Sequence, residues 1–351
     1  MNPSLILKLG LFLVPVWYFF PSITVESLPR HGQFVMMMAV STVALAFVSK
    51  NLWVRLFCIY SVAWVLFAQV ISMIFVSPHN IIGATMARDF MRHLLVAVGI
   101  YAIVVRSEDS LDSWLDWICA LACFQMIVGI PQVFGYFPET ELLKSMGLMA
   151  EGKMNESATG LMENRNFFSG FLAISLPFFL RGRWKWWLPL LIGHLALSQT
   201  STSVAAAAVG AFIALHGQWL ILAVVWASGA AYLWIDGDAL RSERWNYWRE
   251  MVTGFDWDSW FSVTFGYGPY ARWMHKFHPH SEYMKLWWDF GPPGVVLAAG
   301  YLWTLPRADR TLWAALLAGA VICVGSFPFH LPVSAYLLIV IMALIEREGA
   351  K

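Results

Sequence analysis

The sequence predicts an all-α fold, a polytopic transmembrane helical bundle, and three observations carry that reading. Hydrophobic residues make up 59% of the 351-residue chain and charged ones 13%, with a mean hydropathy of +0.61. A soluble chain of this length carries far more polar surface. Apolar runs of roughly 17 to 25 residues, the length that crosses a bilayer, recur along the whole sequence. Lysines and arginines of the short connections fall on one side: Lys50 and Arg55, Arg106, Arg181, Arg183 and Lys185, Arg307 and Arg310, and Arg347 and Lys351. That side is expected to be the cytoplasm, with both termini there and an even number of spans.

About twelve spans are expected, near 4–23, 33–48, 56–76, 83–105, 114–134, 166–180, 186–200, 204–216, 219–235, 291–305, 311–327 and 331–345. The first run, LILKLGLFLVPVWYFFPSI, lacks a basic lead and a small-residue cleavage site, so it is expected to be retained. Cys58, Cys119, Cys123 and Cys323 all lie in apolar runs and read as small core residues. Ala205 to Ala208 suit close helix packing. The net charge of +1 gives no sign of nucleic-acid binding.

The whole chain, 1–351, reads as a single integral membrane domain with two polar segments on the outer side, 135–165 and 236–290. Long connections in a compact protein are commonly functional. The larger one is rich in aromatics and is expected to contain short helices. It opens with ALRSERWNYWREMV, where Arg241, Trp245, Trp248 and Val252 share a helical face. That face suits either a helix at the membrane surface or an interfacial belt of tryptophans.

Three constellations carry possible chemistry. The first is TFGYGPYARWMHKFHPHSEYMKLWWDFGPPG. Gly266 and Gly268 permit turns and close approach of a chain or ligand. Ser281 and Glu282 suit the start of a helix, and Asp289, Gly291 and Gly294 mark a bend back into the bilayer. His280 is suited to take a proton from a hydroxyl near neutral pH. The plainer readings are an interfacial histidine that only hydrogen-bonds, or a metal ligand beside His275, His278 and Glu282, whose spacing matches no defined ligand pattern.

The second constellation is arginine. Arg241, Arg244 and Arg249 precede the histidine in the same segment. Guanidinium groups bind phosphate oxygens in a bidentate fashion, on a pyrophosphate or on ordinary lipid headgroups. Arg88 and Arg92 stand one turn apart inside an expected span, beside Asp89 and His93. Snorkelling accounts for Arg88, whereas Arg92 lies deeper and needs a partner or a wet cavity. The third is TGLMENRNFFSGFLAISLPFF, where Asn164, Arg165 and Asn166 form a polar knot before an apolar run. Either asparagine alone reads as a helix cap.

In their order, these pieces resemble the bacterial O-antigen ligase and O-antigen polymerase superfamily, integral membrane glycosyltransferases that use polyprenyl-pyrophosphate-linked glycans. The resemblance runs from about Gly160 to Gly294 through ENRNFFSGFLAISLP, LSQTSTSVAAAAVG, an Arg-x-x-x-Trp pair, FGYGPY and HSEYMKLWWDFGPPG. The family's last piece typically holds His, then Asn or Ser, an acidic residue and two glycines, matched here by His280, Ser281, Asp289, Gly291 and Gly294. The resemblance implies that His280 is the essential histidine, and that Arg244 or Arg241 binds the donor's diphosphate. The chain departs from the family at Thr200-Ser201-Thr202-Ser203, where a Ser-Arg pair is usual. Arg92, Arg88 or Arg165 would then supply that charge.

The implied reaction is inverting transfer of a glycan from an undecaprenyl-pyrophosphate donor to an acceptor hydroxyl, at the periplasmic face of a bacterial inner membrane. The donor already carries its leaving group, so no metal or other cofactor is expected. The acceptor would be lipid A–core for a ligase, or another lipid-linked glycan for a polymerase. A transporter of lipid-linked glycans is the alternative of a different class. It would share the intramembrane arginines but not require His280, and no internal symmetry of the transporter kind is visible in the sequence.

Overall fold

The computed structural model describes residues 4–5, 7–12, 97–137, 158–162, 165–198, 200–216, 243–266, 281–307, 309–325 and 332–350. Among them the secondary structure is helical, with no strand. Helix α1 is Ala97–Arg106 and α2 is Leu111–Val133. Next come α3, Arg165–Phe179, a 3-10 turn, Gly182–Trp187, then α4, Leu188–Ser198, and α5, Ser201–His216. The larger polar segment contributes α6, Glu243–Thr253, and α7, Trp260–Phe265. The chain closes with α8, Glu282–Thr304, α9, Arg310–Gly325, and α10, Pro332–Gly349. Among the described residues α2 alone is long and apolar enough to cross a membrane, while α1, α5 and α9 are shorter apolar helices. The expected spans at 33–48, 56–76 and 219–235, and most of those at 4–23 and 83–105, lie outside the described residues.

Helix α3 is the centre of the bundle. A helix that is apolar on every face belongs in an interior, and every residue from Phe168 to Phe179 is buried. Around it pack α2, α4, α5 and α9, with α10 behind, in one core that includes Trp114, Ile118, Phe171, Phe178 and Phe179. The alanine run works as expected, with Ala206 and Ala207 buried. One turn on, a Cβ at Gly210 would stand 3.2 Å from Ala318 Cβ and 3.1 Å from Pro177 Cγ. Small residues here let α3, α5 and α9 meet closely.

One end of the bundle is closed by ion pairs. Arg181 reaches Asp309 at 2.9 Å and Asp112 at 3.8 Å, and Arg183 reaches Asp116 at 2.7 Å. Lys8 pairs with Asp109 at 2.6 Å, while Arg347 donates to the carbonyls of Asp109 at 2.9 Å and Ser107 at 3.3 Å. Arg310 donates to the carbonyls of Ala214 and Leu215 at the last turn of α5. Of the cations assigned to one side from the sequence, Arg181, Arg183, Arg310 and Arg347 thus meet at one end, with Lys8 beside them, while Lys50, Arg55 and Lys351 lie outside the described residues.

Helix α8 is two helices joined at Gly291, whose φ of 67° and ψ of 178° are not helical. The bend expected in this stretch therefore falls at Gly291, while Gly294 lies inside the second half. The helix also starts nine residues before the span expected at 291–305. At the bend α7 is packed against α8, and a Cβ on Gly291 would lie 2.9 Å from the Gly266 nitrogen and 3.0 Å from the Val263 carbonyl oxygen. Gly266 itself ends α7 with φ 70°. Replacing Gly291 with Ala imposes both a left-handed backbone and a backbone collision, a cost of about 1–3 kcal/mol. Gly291→Ala is expected to lower the thermal midpoint of the detergent-solubilised chain by several degrees. Gly300→Ala, whose Cβ would meet nothing within 4 Å, should leave it unchanged or raise it slightly.

Candidate functional site

The opposite end of the bundle collects hydroxyls and amides. It is built from α2 upward. Gln125 and Gln132 are two turns apart in the apolar stretch of α2 beyond Asp116, and both are buried. They hold the non-helical stretch 158–162. Gln132 Oε1 accepts from the backbone N–H of Thr159 and of Gly160, both at 2.8 Å, and its Nε2 donates to the Gly160 carbonyl at 2.9 Å. Gln125 Oε1 accepts from Leu161 N–H at 2.9 Å. Buried backbone without helical partners must find others, and the two amides supply them. Gly160 has φ 56°, and a Cβ there would lie 2.8 Å from Gln125 Oε1 and 3.1 Å from the Phe168 ring.

This stretch leads directly to α3. Arg165, its first residue, is exposed. Asn166 is half-buried and accepts through Oδ1 from Thr200 Oγ1 at 3.1 Å. One turn deeper Ser169 donates to Ser203 Oγ at 2.9 Å. In the TSTS stretch Thr200 precedes α5 and Ser201 to Ser203 form its first turn, facing the start of α3. A Cβ at Gly170 would lie 3.5 Å from Ile322 Cγ2 and 4.0 Å from Ser203 Oγ, so the end of α9 stands beside both. The last turns of α9 hold the beginning of α8: Ser281 Oγ donates to the Cys323 carbonyl at 3.3 Å and Tyr283 to the Ala320 carbonyl at 2.9 Å.

Two expectations are corrected here. Ser281 occupies the cap position of α8, but its hydroxyl does not cap the helix, because it is spent on Cys323. Asn166 lies inside α3 and is engaged by Thr200, so it is not the cap. On α6, Met251 packs with Phe255 and Trp288, while Val252, on the face expected at the membrane surface, is exposed.

Of the residues singled out from the sequence, the structure brings Asn166 beside the TSTS turn, and Arg165 is its neighbour in the chain. Glu282 is the first residue of α8 and is half-buried. Gly266 meets Gly291 at the bend. Asp289 lies in α8 two residues before the bend, and Arg244 lies in α6. His280, Arg241, Arg88, Arg92 and Gly268 lie outside the described residues. Cys119, Cys123 and Cys323 are buried and free, while Cys58 lies outside. No group of three or more His, Cys, Asp or Glu placed to hold a metal occurs among the described residues.

Reading the sequence missed Gln125 and Gln132. Their only signal is a pair of amides seven residues apart, on one face of an apolar helix. Lys285 is buried in the first turn of α8. No protein-family model, curated protein or solved structure matches this chain.

The amide anchor is open to test. Gln132→Leu leaves the N–H groups of Thr159 and Gly160 buried without partners, at about 1–3 kcal/mol for each, while the Gly160 carbonyl keeps Thr159 Oγ1 at 3.3 Å. We expect a substantial loss of thermal stability and new proteolytic cleavage near 158–166. Gln125→Leu, which orphans one N–H, should cost less.

Proposed function

We propose that the chain is a polyprenyl-pyrophosphate-dependent glycosyltransferase of the O-antigen ligase type, a multi-span protein of a bacterial inner membrane. The observation that supports this best is convergence. The stretches that carry the resemblance are far apart in sequence, yet TGLMENRN, TSTS and the Ser281 end of HSEY share one end of the bundle, linked through Asn166–Thr200, Ser169–Ser203 and Ser281–Cys323. FGYGPY starts at the contact between Gly266 and Gly291. In this reading the ion-paired end faces the cytoplasm and the hydroxyl-rich end the periplasm, within a bundle of about twelve spans.

The acceptor hydroxyl oxygen attacks the anomeric carbon opposite the pyrophosphate. A C–O bond forms to the acceptor, the bond to pyrophosphate breaks, and its electron pair leaves with undecaprenyl pyrophosphate. The configuration inverts. His280, next to the anchored Ser281, takes the hydroxyl proton or orients the hydroxyl. Cations near the leaving group stabilise the charge that develops on it. Asn166 is bonded to the turn where the family carries Ser-Arg, and this favours Arg165 over Arg88 and Arg92 as the replacement charge. Arg241 or Arg244 serves the same diphosphate. The acceptor is lipid A–core, with a second lipid-linked glycan as the polymerase variant, and no metal or other cofactor takes part.

Release of undecaprenyl pyrophosphate from a lipid-linked oligosaccharide, with both kinds of acceptor present, tests the reading. Wild type should release it and His280→Ala should not. Arg165→Ala should raise KM for the donor by about 10- to 100-fold, the value of a hydrogen bond to a charged group, with Arg165→Lys in between. Thr202→Arg should bring no gain if Arg165 already fills that role. Release by His280→Ala equal to wild type would sink the assignment, and donor movement without release would point to a transporter.

A further inference from the structure

We infer that Trp257 is a platform for a sugar ring, a carbohydrate subsite on the segment between α6 and α7. The inference rests on the glycan-transfer reading for the identity of its ligand. Trp257 lies between α6 and α7 in the run Asp256-Trp257-Asp258. It is 54% exposed, yet it is held firmly. Its Nε1 donates to the Val252 carbonyl at 3.3 Å. Its ring centroid lies 4.8 Å from that of Phe255 and 5.5 Å from that of Trp287, tilted 31° from the latter. Beneath them Met251, Phe255 and Trp288 form a small core separate from the main one. An exposed aromatic ring is thus braced from below by other aromatics, and little freedom remains to be lost when a ligand arrives.

The charge around the ring selects the ligand. The C–H bonds on one face of a sugar carry partial positive charge and suit the negative face of an indole. The hydroxyls at the sugar's rim are donors, and carboxylates are acceptors. Asp256 already accepts Ser259 N–H at 3.1 Å, whereas Asp258 is exposed. Phosphate headgroups would be repelled by both. The most exposed tryptophans of the ion-paired end differ in this respect. Trp186, 81% exposed, follows Lys185, and Trp303, 86% exposed, lies four residues before Arg307. Those two fit an anionic lipid surface. Trp257 does not. Trp260, exposed and three residues further on, offers a second ring on the same segment.

The test uses the full chain in detergent and the reducing oligosaccharides that mild acid releases from the polyprenyl-pyrophosphate-linked glycans of the host membrane. Binding is followed by saturation-transfer NMR, with donor turnover measured in parallel. Wild type should bind, Trp257→Ala should bind about tenfold more weakly, as expected for one lost stacking contact with its buried area, and Trp257→Phe should recover most of the affinity. Trp260→Ala, at a more exposed position, gives a second reading that does not depend on the packed ring and should weaken binding less. No binding by wild type, or equal binding by wild type and Trp257→Ala, would overturn the platform, and a Trp257→Ala protein that binds normally but is less stable would mark an interfacial anchor instead. Tryptophan-dependent binding without pyrophosphate release would leave the platform standing and remove the transferase reading. Release that is unaffected by Trp257→Ala, with unchanged binding, would do the reverse.

Discussion

Buried backbone that is not helical has to find hydrogen-bond partners, and the polar end of this bundle depends on how that demand is met at 158–162. Gln132 serves three backbone groups of Thr159 and Gly160, and Gln125 serves Leu161. With this stretch fixed, the chain arrives at α3 in a set position, and Arg165 and Asn166 are delivered to the same end. Asn166 then meets Thr200, Ser169 meets Ser203, and the end of α9 stands against both. From α9 the link passes through Cys323 to Ser281. Each step is one hydrogen bond or one close contact, and together they connect four segments that are distant in sequence.

The two ends of the bundle are built from different chemistry. At one, Arg181, Arg183, Lys8 and Arg347 are matched by carboxylates or carbonyls, which ties the connections together. At the other, hydroxyls and amides do the joining, while Arg165 remains exposed. Neutral hydrogen bonds can position a helix end without consuming a cation, which leaves a cation for a charged ligand. Outside the main core, the aromatic cluster of Phe255, Trp257, Trp287 and Trp288 ties α6 to the first half of α8. The bend at Gly291 divides that half from the part that joins the bundle.

Much of the fold was legible because a helix buried on every side leaves an unbroken apolar run. FFSGFLAISLPFF is such a run, and α3 lies there. Gly291 was readable as a bend because the glycine is followed at once by two prolines. Partners distant in sequence were not readable. An amide in an apolar helix shows that something polar must face it, but not that the partner is the backbone of Gly160. The burial of Met251 on α6 was not readable for the same reason, since it comes from Phe255 and Trp288 and not from its own helix. Ser281 has the right residue type for a cap, yet a carbonyl from α9 claims its hydroxyl. Of the candidate site, Arg165, Asn166, Gly266 and Glu282 can be followed into the structure, whereas His280, Arg241, Arg88, Arg92 and Gly268 lie outside its described residues.

The central claim is that the hydroxyl-rich end, with Arg165 and Trp257, faces outward and the ion-paired end faces the cytoplasm. Labelling of single cysteines with a membrane-impermeant maleimide tests it most directly, in a chain whose four native cysteines are replaced by alanine. Arg165→Cys and Trp257→Cys should react in intact spheroplasts, and Lys185→Cys and Trp303→Cys only after the membrane is opened. Labelling of all four from the same side, or of Lys185→Cys alone in intact spheroplasts, would contradict the account.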